Sequence, residues 1–280
     1  MIYLTTNSDG NHTEGIGAMA QYQLFCYALS KHLNVKFIFD GFKNLQHWQY
    51  CSKNQETFVK EVNTFFNLPC TESYFLKDIN KITISSINHL EEILSLDKDV
   101  VIELCPKFLI DYGQSNIEII EKNNWIKDLF SNIKPYKINT DSNDLTNFFN
   151  IDVHIRKYTK TDCDPSSIRD LYESSKEQYY CNIINNLIKI YSSKNIKIKI
   201  HSQGFESDFN IFNNYDNVHL CIEEHPLKSL YSMITSDVLV MANSSLSYIA
   251  SLYRSKITYK KDTFYHNTYK NNVYLLSSIL

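Results

Sequence analysis

Glycine and proline are scarce, six and five among 280 residues, while asparagine, isoleucine, lysine, serine and tyrosine abound. That bias points to an AT-rich coding sequence, so 20 tyrosines are not by themselves a sugar-stacking platform. Few glycines also means few phosphate loops. There is no Walker loop, and the Gly15-Ile-Gly17 pair falls short of a full G-x-G-x-x-G because Ala20 takes its last glycine position. C-x-x-C spacing is absent, and seven scattered cysteines, an odd number, read as reduced thiols rather than a disulfide framework. No window approaches a membrane span, and the first residues lack the basic and apolar regions of a signal peptide, so a cytoplasmic protein is expected. A formal charge of −3 argues against a generally basic surface for nucleic acid or anionic membrane, though not against a local basic cleft. No Ser–His–Asp or Cys–His nucleophile pattern stands out.

What remains is an ordinary soluble composition in a chain long enough for two domains of roughly 130–150 residues. Residues 1–5 read as a strand, 18–33 as a helix with Tyr22, Phe25, Ala28, Leu29 and Leu33 on one face, and 35–39 as a second strand. Strand, loop, helix and strand in that order build a parallel sheet. The middle reads as a helix over 57–66, strands over 81–87 and 99–105, and a helix over 117–130. A polar run over 137–144 is the best linker, which sets a boundary near residue 145 and domains 1–145 and 146–280. Beyond it come a strand at 151–155, a helix at 175–192, strands at 195–201 and 218–222, and a helix at 226–235. A buried strand at 237–241, a helix to 253 and a strand at 256–259 that closes the sheet complete a Rossmann-like pattern.

The stretch 151–157, Ile-Asp-Val-His-Ile-Arg-Lys, is where the chemistry is expected. His154 and Arg156 are two positions apart and would share a strand face. They lie at a strand's carboxyl end, where α/β sheets bind ligands, and arginine's planar fork suits a phosphate. Asn243, Ser244, Ser245 and Ser247 open a helix, which taken alone reads as an ordinary N-cap and together with Arg156 reads as a phosphate seat. Gly15 and Gly17 let a backbone approach a ligand or simply turn into a helix. Loops around Ser202 and around Glu14 follow other strand ends, and Glu14, Asp9 and Asp162 are the carboxylates placed to act as a base. Asp162-Cys-Asp164 matches a D-x-D metal motif too short to weigh. His219, Cys221 and His225 lack a second Cys/His pair at ligand spacing, so no metal site is expected. Glu223 and Glu224 read as carboxylates favouring the start of the helix at Pro226.

These stretches resemble the fucosyltransferase-like superfamily of the GT-B fold, whose members include α-1,2- and α-1,6-fucosyltransferases and protein O-fucosyltransferases. Val153-His-Ile-Arg156 resembles its H-x-R-R-x-D motif. The stretches 176–180 and 198–203 resemble its Tyr-Tyr helix and following strand, and 237–247 its Ser-rich helix start. Glu14-Gly-Ile-Gly17 with Gln21 and Tyr22 resembles its first loop. The resemblance implies an α/β, GT-B-like protein with two Rossmann-like domains facing each other across a cleft, the second binding the nucleotide sugar and the first the acceptor. It implies an inverting, metal-independent transfer of a sugar, fucose from GDP-fucose first among the choices, to a hydroxyl of a glycan or similar acceptor, with no cofactor besides that co-substrate. Arg156 would bind the β-phosphate and act on the leaving group, with Glu14 as base. Gly15, Gly17, His154, Ser202, Asn243, Ser244, Ser245 and Ser247 would line the donor. Two departures stand: Lys157 replaces the second arginine with no acid following, and Ser202-Gln-Gly204 replaces a pair of aspartates. They leave open a UDP- or dTDP-sugar donor, or a non-catalytic nucleotide- or carbohydrate-binding module.

Overall fold

The computed structural model describes residues 1–6, 14–50, 52–69, 79–95, 99–135, 148–157, 177–268 and 272–280. Two compact units result, Met1–Lys134 with His266–Lys270, and Pro135–Tyr265 with Asn271–Leu280. The linker run 137–144 and the boundary expected near 145 lie outside the described residues.

The first unit holds β1 (Ile2–Thr6), α1 (Ile16–His32), β2 (Lys36–Phe37), α2 (Gln55–Phe66), β3 (Lys81–Ile84), α3 (Ile87–Leu94), β4 (Val100–Leu104), α4 (Pro106–Ser115) and α5 (Ile117–Lys122). Its strands pair in the order β2-β1-β4-β3, all parallel. The helix expected over 18–33 starts two residues earlier, and it is buried all round rather than on one face. The strand expected over 35–39 pairs at only two residues. The helical pattern over 117–130 breaks after Lys122, where Asn124 takes a left-handed φ of 54° that asparagine tolerates, and a 3-10 turn follows at Lys127–Asn132. Helix α4, missed in the sequence, starts with Pro106 in its first turn, capped by Cys105 Sγ accepting from the Phe108 amide at 3.4 Å. Its Gly113 faces Phe25 of α1 so closely that an added Cβ would lie 2.3 Å from the ring. A glycine there is a packing requirement.

The second unit holds β5 (Phe149–His154), α6 (Glu177–Ile190), β6 (Ile196–Ser202), β7 (Val218–Ile222), α7 (Pro226–Thr235), β8 (Val238–Val240), α8 (Ser245–Tyr253), β9 (Ile257–Lys260) and β10 (Val273–Leu275). The strands lie in the order β10-β9-β8-β5-β6-β7, all parallel. Counted from β5, the chain fills one side of the sheet through β7 and then restarts on the other side at β8. That is the 3-2-1-4-5-6 order of the doubly wound nucleotide-binding sheet, with its switch point between β5 and β8. The sheet does not close at β9 as the sequence suggests. β10, with Tyr274 and Leu275 exposed, pairs outside it, and so short and solvated an edge carries little hydrophobic signal. Both units are therefore Rossmann-like, as the resemblance implies. No helix among the described residues is long and apolar enough to cross a membrane.

Strand alternation gives the second sheet two unlike faces. Ile151, Val153 and Ile155 join Ile198, Ile200, Val238 and Val240 against Tyr180, Ile183, Ile184 and Leu187 of α6 in one apolar cluster. The opposite face carries Asp152, His154, Lys199, His201 and Cys221. Lys199 Nζ donates to Ser232 Oγ at 3.1 Å, so α7 lies over this polar face. Asp152, His154 and His201 are all buried.

Candidate active site

Strand β5 ends at His154, so His154 and Arg156 do not share a strand face as expected. The ladder gives one more bond, Ile155 N–H to the His201 carbonyl at 3.0 Å, and Arg156 then leaves the sheet half-buried at its carboxyl edge. Its Nη1 donates to Gln203 Oε1 at 2.5 Å. That bond uses one of the guanidinium's five N–H groups. Gln203 belongs to the Ser202-Gln-Gly204 departure noted in the sequence, which did not mark its pairing with Arg156. Ser202 next to it is buried and donates to the Ile155 carbonyl at 2.7 Å, bracing the two strand ends.

Lys157, in the place of the motif's second arginine, has other partners. It lies 3.2 Å from Asp208 and 4.6 Å above the Phe209 ring. Gly204 opens the turn between them with φ of +113°, and a Cβ would meet Asp208 Oδ2 at 3.1 Å.

His154 is fully enclosed. Burial first, then the nearby charge of Arg156, pushes its pKa down to about 3. At neutral pH it is an uncharged ring, able to hydrogen-bond and unable to serve as an acid.

Across the switch point, β8 ends at Val240 and the chain runs through Asn243 into α8. Ser244 is the N-cap, its hydroxyl accepting from the Leu246 amide at 3.2 Å. Ser247 is completely buried and donates to the Ala242 carbonyl at 3.1 Å, holding the turn from inside. Ser245 is half-buried and hydrogen-bonds the phenol of Tyr265. Burial raises the Tyr265 pKa, and the Ser245 hydrogen bond and the charge of Arg156 pull it back. One tyrosine ring thus reports both Arg156 and the start of α8. Among 20 tyrosines no sequence signal marked it.

The first-unit candidates form a second group. Glu14 makes a lone parallel bridge with Leu45, and its carboxylate accepts from Tyr22 Oη at 2.8 Å. Burial first, then Glu14, raises the Tyr22 pKa. Gly15 is the N-cap of α1 at φ −69°, an ordinary extended conformation, and a Cβ on it would approach His47 to 3.2 Å. Gly17 is buried in the first turn. Asp9, Asp162 and Asp164 lie outside the described residues. Glu223 and Glu224 are not the N-cap of α7. His225 is, through Nδ1 accepting from the Leu227 amide at 3.3 Å. Glu223 instead accepts from the Gly204 amide at 2.6 Å.

No family model and no curated protein matches the chain. Among solved structures it is similar to fucosyltransferase NodZ from Bradyrhizobium, at 11% identity over 91% of this chain and 93% of that one, with a TM-score of 0.46. It is similar to POFUT1 in complex with GDP, at 11% identity over 98% of each chain and a TM-score of 0.47. A third is E. coli heptosyltransferase WaaC with ADP, at 12% identity over 98% of this chain and 92% of that one, with a TM-score of 0.45. At such scores and identities, function has to be read from this chain's own residues.

Proposed function

We propose that the chain is an inverting glycosyltransferase that moves a sugar from a nucleoside diphosphate, GDP-fucose first among the candidates, to an acceptor hydroxyl on a glycan or similar molecule. One observation carries the reading. Arg156 after β5 and the helix start Ser244–Ser247 after β8 flank the switch point of a doubly wound sheet.

In the transfer, the acceptor oxygen attacks the anomeric carbon as its bond to the β-phosphate oxygen breaks. The diphosphate leaves with the electron pair, and the acceptor proton passes to a base. Arg156 and the α8 amides meet the charge that develops on the leaving group. The diphosphate itself needs no cation on this account. Glu14 in the first unit is the base, with Gly15 and Gly17 shaping the loop beside it. His154, held neutral, hydrogen-bonds the donor or orients Arg156. Ser202 and Ser247 act through the backbone they brace, while Asn243, Ser244 and Ser245 line the donor.

The Ser202-Gln203 pair, in place of two acids, favours one second reading, a donor carrying UDP or dTDP. Thermal unfolding with GDP, UDP, dTDP and CMP separates the two. A nucleotide present at 100 times its Kd adds about 2.7 kcal/mol of stability. GDP is expected to give the largest shift, unaltered by added Mg²⁺ or Mn²⁺. No shift with any of the four would reject the proposal, and a shift without donor turnover on any acceptor would make the chain a binding module.

A further inference from the structure

We infer that the second unit carries a zinc-type metal site made by His201, Cys221 and Glu224, apart from the diphosphate seat. One ligand atom from each, His201 Nδ1, Cys221 Sγ and a Glu224 carboxylate oxygen, lies within 4.8 Å of the other two. His201 Nδ1 and Glu224 Oε2 are 3.7 Å apart. A tetrahedral zinc with bonds of about 2.0–2.3 Å sets its ligand atoms roughly 3.3–3.6 Å apart, so modest side-chain rotation closes the set.

A second observation points the same way. His201 is 2% exposed, and its Nδ1 has no hydrogen-bond partner among the described residues, while its Nε2 lies 3.0 Å from Asp152 Oδ2. An orphaned buried ring nitrogen is costly in a folded protein. The Asp152 carboxylate fixes the tautomer, because an acceptor on Nε2 places the proton there and turns the Nδ1 lone pair toward Cys221 and Glu224. Carboxylate–histidine–metal is the recurrent outer arrangement of zinc sites. Cys221 binds as thiolate, giving its proton to solvent. Glu224 is ion-paired with Lys228 and accepts from Ser229 Oγ at 3.3 Å, so metal binding draws its carboxylate from the lysine, and one thiolate and one carboxylate then face the divalent cation in a half-buried place.

The donor set selects the metal. Imidazole, thiolate and carboxylate together suit zinc, whereas magnesium and calcium take oxygen alone. Three protein ligands leave a fourth position for water.

The site has a structural consequence. His201 and Cys221 are register partners on β6 and β7, and Glu224 lies in the turn into α7. Between the last two ligands, Glu223 bonds the Gly204 amide through its carboxylate, and its own amide bonds the Ser202 carbonyl at 3.1 Å. The loop so held contains Gln203, the partner of Arg156. A metal there is a brace for the guanidinium's support. The sequence hid it, because Cys221 finds its histidine on the neighbouring strand and not at His219 or His225.

Zinc is first measured per full chain, after loading with Zn²⁺ and removal of the excess. The chain is then stripped with a chelator, and Co²⁺ is titrated while the visible and near-ultraviolet spectrum is recorded. One equivalent of zinc is expected, with tetrahedral cobalt bands and a thiolate-to-cobalt charge-transfer band that Cys221→Ser abolishes. Glu224→Gln should weaken binding and keep that band. Asp152→Asn, which takes away the carboxylate that orients His201 and leaves all three ligands in place, should weaken metal affinity about 10–100-fold and also keep it. Melts in chelator establish that each variant is folded, and Cys221→Ala stands in if the serine variant is not. Substoichiometric zinc, or a charge-transfer band that survives loss of Cys221, would overturn the site. The readout is independent of any sugar donor.

Discussion

Arg156→Ala is expected to cut turnover by about 10²–10³, the loss typical when one group that stabilises developing negative charge is removed. The guanidinium stands at the carboxyl edge of β5, beside the switch point. A purely structural Arg156 would behave differently. Its side-chain bond to Gln203 is half-exposed and replaceable by water, so losing it should cost no more than about 1.5 kcal/mol of stability. Steady-state kinetics and urea unfolding on the same preparation separate the two roles. Turnover that stays within a few-fold, with stability falling instead, would remove Arg156 from the chemistry. Arg156→Lys keeps the charge without the fork and should recover only part of the rate.

The largest expected loss of stability is at Arg254. This side chain, 3% exposed, follows the last turn of α8 and reaches the carboxyl end of α7. Nη1 donates to the Met233 carbonyl at 3.2 Å and Nη2 to the Ser236 carbonyl at 2.8 Å. A cation at a helix carboxyl end satisfies carbonyls that have no partner within the helix and opposes the negative end of its dipole. Burial lowers the Arg254 pKa to about 10, against the raising fields of Asp152 and Asp237, so it remains charged at neutral pH. Arg254→Ala takes the guanidinium from the Ser236 carbonyl, leaves the Met233 carbonyl only the Ser236 hydroxyl at 3.2 Å, and opens a space between two helices, at a cost of about 3 kcal/mol. Urea unfolding measures it, and a loss below about 1 kcal/mol would show that water takes over the carbonyls. Because α8 presents its other end to the switch point, the same variant should bind GDP more weakly.

Regular alternation and regular apolar spacing made most of the second half legible. The strand around 195–201 and the helix Pro226–Thr235 were read nearly residue for residue, because each buries one face against the sheet and carries its own start signal, Pro226 for the helix. The first half was harder. α1 is buried on every side, so its sequence offers no contrast between faces, and α3 and α4 are short helices set close after strands. Within the site, Arg156 and the serines of α8 could be found because they sit at strand ends and helix starts, positions that periodicity identifies. Gln203, Tyr265 and the Asp152–His201 pair could not. Each matters through a partner far away in the chain, and a single sequence does not record such pairings. The expected sharing of a face by His154 and Arg156 failed for a local reason, the end of β5 between them.

One diphosphate is expected between the ends of β5 and β8, held by Arg156 on one side and the first turn of α8 on the other. A crystal structure of the chain with GDP tests it most directly. The account predicts a β-phosphate oxygen about 3 Å from an Arg156 nitrogen, with a second within hydrogen-bond reach of the backbone amides at the start of α8. A diphosphate bound elsewhere in the protein, with Arg156 still turned to Gln203 and the α8 amides facing only solvent, would contradict it.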